Sequence, residues 1–573
     1  MDKRPLLTQL RTRKTQLYSD RSSWDTHWRD LADHVLPRTG KFSYSGRNRG
    51  DKKHRYIYNS TATGALEILV AGMMAGATSP ARPWMRLASP DPELNKYKPV
   101  EDWLSTASRM ILRVFNRSNT YRALPRYYQE LSLYGTAAGM VMPHPERVIH
   151  HYPLTVGQYA LGVNAEEEVN TCYREFDMTV SQMVEMFGID NVSQAVRNCY
   201  NNGRYDEYRT ITHAVEPRFD RDESKIDSLN MPFRSVYFEG GSYTGGGGGY
   251  SSNSSSSGSG YSILLEEGFR EFPVLAPRWS TSGGDIYGSS PGMTALGDIR
   301  ALQSMTKRLG QAIDYKTKPP TQGPAALKGM EIDKMPGGHT EIPGDQRVTP
   351  VWQTTLELSD LQQHIALHEQ RINSRFYADL FLMLATTTKS MTATEVAERH
   401  EEKLTMLGPT LERLHNELLQ PLVTLTFGHM VDRGMLPPAP PELEETDLEI
   451  EFISMLAQAQ QAVGASQDDR FQLVMQNLSQ THPESLDLLD PDAYLRQYAR
   501  KIGMDPQSLR SPDEVAEMRQ MRGQLEQAQQ QLAALQQAAP AARAVAETQA
   551  IEQEMADAQP DAPEDAFSGF GEV

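Results

Sequence analysis

Cysteine is nearly absent from this chain: Cys172 and Cys199 are the only two in 573 residues. That excludes a disulfide framework and a four-cysteine zinc site, and it fits a reducing compartment. Long apolar runs are missing too. The most apolar window, ALEILVAGMMAGA at 65–77, contains Glu67 and falls short of the roughly 20 residues of a membrane span, so it reads as a buried helix. The start, MDKRPLLTQLRTRK, has no apolar core of signal-peptide length. No GxxxxGK[ST] phosphate loop and no GxSxG nucleophile elbow occurs anywhere. Positive charge is in deficit, with a formal net charge of −17. The deficit is uneven: residues 1–60 hold 14 Lys/Arg against 6 Asp/Glu, whereas 513–573 hold 3 against 12. A basic start and an acidic end imply different partners or positions in an assembly, although tails also drift in charge.

At about 150 residues per domain, the length implies three or four domains. A mean hydropathy of −0.54 with 39% apolar residues points to extensive surface, many helices or an extended shape. Apolar residues at helical spacing (Leu7, Leu10, Leu17, Trp24, Trp28, Leu31, Val35) predict a helix over 3–35. A second helix starts near Asn59-Ser60-Thr61, all good cap types, and ends at Ser79-Pro80. Gly64, Gly72 and Gly76 share one face of it, which implies close helix packing. WMRLAS (84–89) reads as extended, 99–145 as helical, and 146–238 as strands with a short helix at 180–187. The Gly/Ser stretch 239–261 buries too little to order itself and reads as a flexible loop between two strands.

The most informative stretch is Phe272–Pro320, where a short apolar run passes through a turn-dense loop into a helix that stops at Pro319-Pro320. That helix, about 293–318, would be about 38 Å long. After a Pro/Gly-rich excursion with strand-like pieces (319–355), a second long helix follows over about 356–385, near 45 Å, with a capping-box start at Thr354 and Glu357. A threonine-rich break, ATTTKSM (385–391), and another capping box at Thr392 and Glu395 precede further helix. A polyproline hinge (436–442) leads to the strand-like LEIEFIS (448–454), and the remainder is Gln/Ala-rich helix with a disordered tail. The fold class expected is α+β, predominantly helical.

Catalytic chemistry is hard to find. His364 and His368 are four apart, as zinc ligands on one helix face would be. Ile365 stands where HExxH needs glutamate and no third ligand is evident, so surface or lumen histidines fit better. Glu395, Glu398, Glu401 and Glu402 beside Arg399 and Lys403 read as a solvated, ion-paired face. No catalytic, cofactor-binding or metal residue is expected. The long helices carry scattered cations, among them Lys307 and Lys316, and Lys389 lies in the threonine-rich break. Scattered cations fit weak phosphate contacts that let duplex DNA slide better than tight wrapping; for Lys389 an ordinary exposed loop residue reads equally well.

Four stretches in order carry a family resemblance: W-x3-W-x2-LA-x2-VLPR-x-G from Trp24 to Gly40, IYNSTATGALEILVAGMMAGATSPARPWMRL from Ile57 to Leu87, FPVLAPRW-x5-DIYGSSPGMTALGDIRAL from Phe272 to Leu302, and MTATEVAERHEEKLTMLGPTLERLHNELLQPL from Met391 to Leu422. With these the chain resembles the head-to-tail connector, or portal, proteins of short-tailed (podovirus-type) bacteriophages, over about residues 20–455. The Gly/Ser insert and the last 120 or so residues depart from the pattern. The resemblance implies a ring, typically a homododecamer, at one capsid vertex of the virion. Such a ring conducts double-stranded DNA during packaging and ejection and has no ATPase of its own. It implies a wing (1–292), two stem helices (293–318 and 356–385), a small α/β clip (319–355), a tunnel loop and wing helix (386–455), a helical crown (456–558) and a disordered tail (559–573). The candidate channel residues are then Lys307, Lys316, Lys389, Thr387 and Thr388, and the candidate clip docking surface is Lys328, Lys334, Arg347 and Trp352. Implied partners are the terminase large subunit, a tail adaptor, and the major capsid and scaffolding proteins, with synthesis in the bacterial host cytoplasm, no cofactor and no membrane. The alternative is a ring-forming tail adaptor or virion scaffold that does not line the DNA path.

Overall fold

The computed structural model of the protein describes residues 4–42, 53–225, 227–239, 263–317, 320–325, 348–350, 358–386, 407–443, 448–453 and 490 of one unit, 1–490. In a second unit, 491–573, it describes 492, 494–495, 510, 514–530 and 553. The Gly/Ser stretch, most of the expected clip, both capping boxes at Thr354 and Thr392, and most of the expected crown lie outside the described residues. In the second unit 514–530 is helical, and Arg519 pairs with Asp492 at 2.5 and 2.8 Å.

The apolar spacing at the start forms α1 (Arg4–His34), and the next run forms α2 (Thr61–Ala77). Ser60 is the α2 cap position but makes no side-chain cap bond; the residue before it, Asn59, accepts through Oδ1 from Thr61 N at 2.8 Å and from Thr61 Oγ1 at 2.6 Å. Gly72 packs as its face implied, since a Cβ there would overlap the Phe381 ring, whereas Gly64 faces open space. Strand β1 (Met85–Ala88) precedes α3 (Lys98–Arg117) and α4 (Thr120–Tyr134). Helix expected to continue to residue 145 stops earlier. Gly135, at φ +79°, caps α4 in the left-handed conformation, and the chain turns into strand β2 (Ala138–His144). This strand pairs antiparallel with β3 (Val148–Leu154).

An antiparallel sheet follows in the order β4 (Tyr159–Val163), β5 (Val169–Thr179), β6 (Tyr208–Pro217), β7 (Phe233–Glu239), β8 (Ile263–Phe269). Side chains alternate across it, so each face needs its own cover. Val236 and Phe238 meet the N-terminal half of α1 through Leu10 and Leu7. Tyr237 and Ile211 face the other way, onto α5 (Val180–Phe187) and α6 (Gln194–Asn201). The 180–187 helix stands where it was expected, whereas α6 falls within the stretch read as strands. Strands β7 and β8 flank the Gly/Ser stretch and pair with each other.

The main core gathers Trp28 and Leu31 of α1 and Val35 just after it with α2, α3, α4 and the β2–β3 sheet, which β9 (Val274–Leu275) completes. Helix α7 (Pro291–Thr317) leaves this core; β10 (Thr321–Gln322) and β11 (Thr349–Pro350) then pair antiparallel. The second long helix is not continuous. It forms α8 (Leu358–Arg375) and α9 (Ala378–Thr386), with Tyr377 at φ +55° between them. Burial explains the break, because Phe376, Ala378 and Leu380 all enter the core and the turn brings Phe381 onto Gly72. Residues 407–414 are helical, a π turn spans His415–Leu419, and α10 (Gln420–Asp432) completes that helix. The strand expected near 448–454 is β12 (Glu449–Phe452), and its partner is β1, with Met85 opposite Phe452.

The Phe272–Gly292 stretch is threaded through the core against the end of α4. Ala137 N donates to Pro277 O (3.0 Å), Trp279 N to Gly135 O (2.9 Å), and Gly288 N to Thr136 Oγ1 (2.8 Å). Gly135 and Gly288 touch backbone to backbone, and a Cβ on either would overlap the other's carbonyl oxygen. Tyr287 sets its ring against Trp28 at 5.1 Å, edge to face, and accepts from Leu161 N at 3.0 Å. Arg278 is buried, and its guanidinium and amide both donate to Glu417 in the π turn at 2.7 Å. Ser290 Oγ then accepts from Met293 N (3.0 Å) and donates to Leu133 O (2.7 Å), capping α7 with Pro291 as its first residue.

Two outcomes follow from these buried polar groups. Removing one member of a buried ion pair strands the other, at a cost of about 3 kcal/mol. Glu417→Ala is therefore expected to lower the urea midpoint correspondingly, and a change below roughly 0.5 kcal/mol contradicts that role. Glu130 accepts from Thr155 Oγ1 (2.7 Å) and Val156 N (3.1 Å), yet burial outweighs these bonds and pushes its carboxyl up to about 7. A raised acid is stabilising while protonated, so this contribution is full below the unfolded value near 4.5 and is lost as pH rises through about 7. Melting curves from pH 5 to pH 8 should show that fall, up to about 3 kcal/mol. Glu130→Gln should flatten it, and an unchanged slope in the variant contradicts the assignment.

Candidate functional site

The described residues offer no pocket built for catalysis. They hold no group of three or more His, Cys, Asp or Glu side chains able to bind a metal ion, and no helix long and apolar enough to cross a membrane. Burial pushes the Cys172 thiol up to about 12, and Cys199 is also buried, with Arg209 Nη2 at 3.3 Å from its sulfur. The Cys172 thiol is therefore held out of the thiolate form that nucleophilic or metal chemistry needs.

What stands out instead is the helix pair α7 and α8. Because β10 follows α7 and pairs antiparallel with β11 ahead of α8, the two helices run in opposite directions. Their base is tied by side chains. His368 Nδ1 lies 2.9 Å from Asp298 Oδ1, and Arg371 Nη1 lies 3.8 Å from the same oxygen. Gln303, buried in the apolar stripe of α7, accepts from Tyr58 N (2.6 Å) and Asn59 N (2.9 Å) and donates to Asn59 O (2.7 Å). Asn59 Nδ2 completes the chain to Glu369 Oε1 at 2.8 Å. Arg300 pairs with Asp30 of α1. One polar junction thus locks α7, α8, the start of α2 and α1 together.

Beyond that junction α7 has no core. Leu296, Ile299 and Leu302 are buried, but no residue of 304–317 is; Ile313 is 44% exposed and Tyr315 55%. Leu367 on α8 is 41% exposed. The stripe read from the sequence is therefore half satisfied within one chain.

Of the expected site residues, Lys307 and Lys316 lie on α7 and are exposed. They are nine residues apart, which at about 100° per residue puts them on opposite faces. Lys307 Nζ sits 5.6 Å from the centre of the Tyr58 ring. Thr387, Thr388, Lys389, Lys328, Lys334, Arg347 and Trp352 lie outside the described residues. His364 is exposed as expected, while His368 is an interhelix contact rather than a free surface group. The roles of Gln303, Asp298 and Glu417 were not read from the sequence. A glutamine inside an apolar stripe, next to Leu302, was the available signal for the first.

The chain matches the family model described as bacteriophage head to tail connecting protein over residues 7–510. It is 46% identical over 523 residues to a probable portal protein of Bordetella phage BPP-1, covering 91% of each chain. It is 41% identical over 532 residues to the portal protein of Salmonella phage epsilon15, covering 92% of each. A solved neck structure of a gene transfer agent particle aligns over 76% of this chain and 94% of its own at 11% identity, with a TM-score of 0.32, too slight a likeness to carry an argument. The two phage relatives and the family match agree across nearly the whole sequence, and the chain belongs to the bacteriophage head-to-tail connector, or portal, protein family.

Proposed function

We propose that the portal role is carried out by a closed ring of this chain, twelve copies in the simplest case, at one capsid vertex, with duplex DNA passing through its bore in packaging and ejection. The observation that carries this is the helix pair. At 27 residues α7 is about 40 Å long, yet only its first half reaches the core. The exposed Ile313, Tyr315 and Leu367 call for a further surface, and a neighbouring copy related by cyclic symmetry supplies the same one to every subunit.

In this reading 1–292 is the wing, 293–318 and 356–385 the stem, 319–355 the clip, 386–455 the tunnel loop and wing helix, 456–558 the crown and 559–573 a tail. The ring is structural, and a separate terminase motor docks on the clip and does the work, through residues such as Lys328, Lys334, Arg347 and Trp352. A tail adaptor later takes the same surface, while major capsid and scaffolding proteins hold the wing. The protein is made in the host cytoplasm and ends in the virion. Lys316, Lys389, Thr387 and Thr388 are the bore candidates. Lys307, on the opposite face of α7 from Lys316, cannot share its wall.

Negative-stain microscopy of the purified chain should show annular particles with a hole near duplex width. Monomers or dimers under every assembly condition would overturn the ring. Lys316→Glu repeats a repulsive charge in every copy, so rings should persist while packaged DNA falls by about tenfold. Unchanged packaging would remove Lys316 from the bore.

A further inference from the structure

In a chain of net charge −17, one described surface runs the other way. The segment leading into α2 lies along α7, fixed there by the bonds from Tyr58 N and Asn59 N to Gln303. Lys307, one helical turn beyond Gln303, reaches over the Tyr58 ring, and the Arg55 guanidinium lies 4.9 Å from the centre of the Tyr56 ring. Tyr56 and Tyr58 are 43% and 50% exposed, and Arg55, Lys307 and Arg308 are all exposed. None of these three cations has a carboxylate partner among the described residues, whereas Arg300, two turns below Lys307 on α7, is paired with Asp30. The nearest carboxylate above Lys307 on its stripe is Asp314, two turns up and about 10 Å away.

Three residues of chain separate Arg55 from Tyr58, at most about 10 Å between their Cα atoms, which makes Arg55 and Lys307 neighbours along one surface. Exposed tyrosines hold the two long cationic side chains over their faces. Unpaired cations cost a folded protein through mutual repulsion and are relieved by a polyanion. We infer that Arg55, Tyr56, Tyr58 and Lys307 form a contact surface for the phosphate backbone of duplex DNA. It is distinct from the bore wall that carries Lys316, because Lys307 and Lys316 occupy opposite faces of α7. Its binding is independent of base sequence, since nothing in the patch is placed to read a groove edge. The inference rests on the DNA-handling role proposed above.

The test uses assembled rings of the full chain and a labelled duplex of about 30 base pairs, with affinity followed by anisotropy between about 50 and 200 mM salt. Lys307→Gln and Arg55→Gln should each weaken binding equally for unrelated sequences. Each should also lower the salt slope by about one, and Lys307→Arg should restore it. Ultraviolet crosslinking of the unmodified ring to the duplex, mapped by mass spectrometry, should mark Tyr56 or Tyr58, a readout that does not depend on any variant folding. Unchanged slopes, or crosslinks elsewhere only, overturn the patch as a DNA surface. Polyglutamate binding that matches the duplex, without a tyrosine crosslink, assigns it to an acidic protein and also overturns it. Images of the same samples keep the two readings apart: rings with no patch effect sink this inference alone, and the absence of rings sinks the ring reading.

Discussion

At Gly135 and Gly288 two backbone segments come so close that a Cβ on either glycine would overlap the other's carbonyl oxygen. One segment is the left-handed cap of α4, and the other is the turn that delivers the chain to α7. Because they touch, Tyr287 can reach Trp28, Ser290 can cap α7 and bind Leu133 O, and Arg278 can meet Glu417 in the π turn. Side chains larger than hydrogen would hold the segments apart and displace all three contacts. The direction in which α7 leaves the core is therefore set by a steric condition rather than by helix propensity.

Polar groups then hold what the glycines allow. Arg278, Gln303 and Glu130 are all buried, and each has hydrogen bonds that satisfy it across elements distant in sequence. Buried polar groups add little net stability when paired, but they exclude alternative packings in which they would be stranded. That suits a helix pair whose distal half has no core of its own. The junction at Asp298, His368, Asn59 and Glu369 fixes the pair at its base, as a bracket fixes a beam.

Such a beam is costly for a lone subunit, since Ile313, Tyr315 and Leu367 stay in water. A ring removes that cost for every copy at once, and it leaves opposite faces of α7 free for different tasks. The chain's overall acidity and its local basic surface near Tyr58 are consistent with that division. An acidic surface repels a polyanion, so the unpaired cations near Tyr58 stand apart from the charge of the rest of the chain.

Much was legible beforehand. Periodicity located α1, α2, α5 and α7 within a few residues, because burial of one stripe is a local property of sequence. Four ordered motifs pointed to the portal family, and the family match and phage relatives bear this out. Other features were not legible. The stop of α4 at Gly135, the kink at Tyr377 and the helix α6 depend on what each segment meets, not on its own pattern. Strands β1 and β12 were each visible, but their pairing across more than 350 residues was not. The same holds for the site: Lys307 and Lys316 were readable as cations, but that Lys307 lies over Tyr58 needed the packed structure. Sequence by itself determined the strongly periodic helices α1, α2 and α7, the absence of familiar catalytic motifs and the family, which local pattern carries. Tertiary structure alone decided which buried polar groups meet and which apolar residues remain uncovered, because both depend on neighbours that only folding brings within reach.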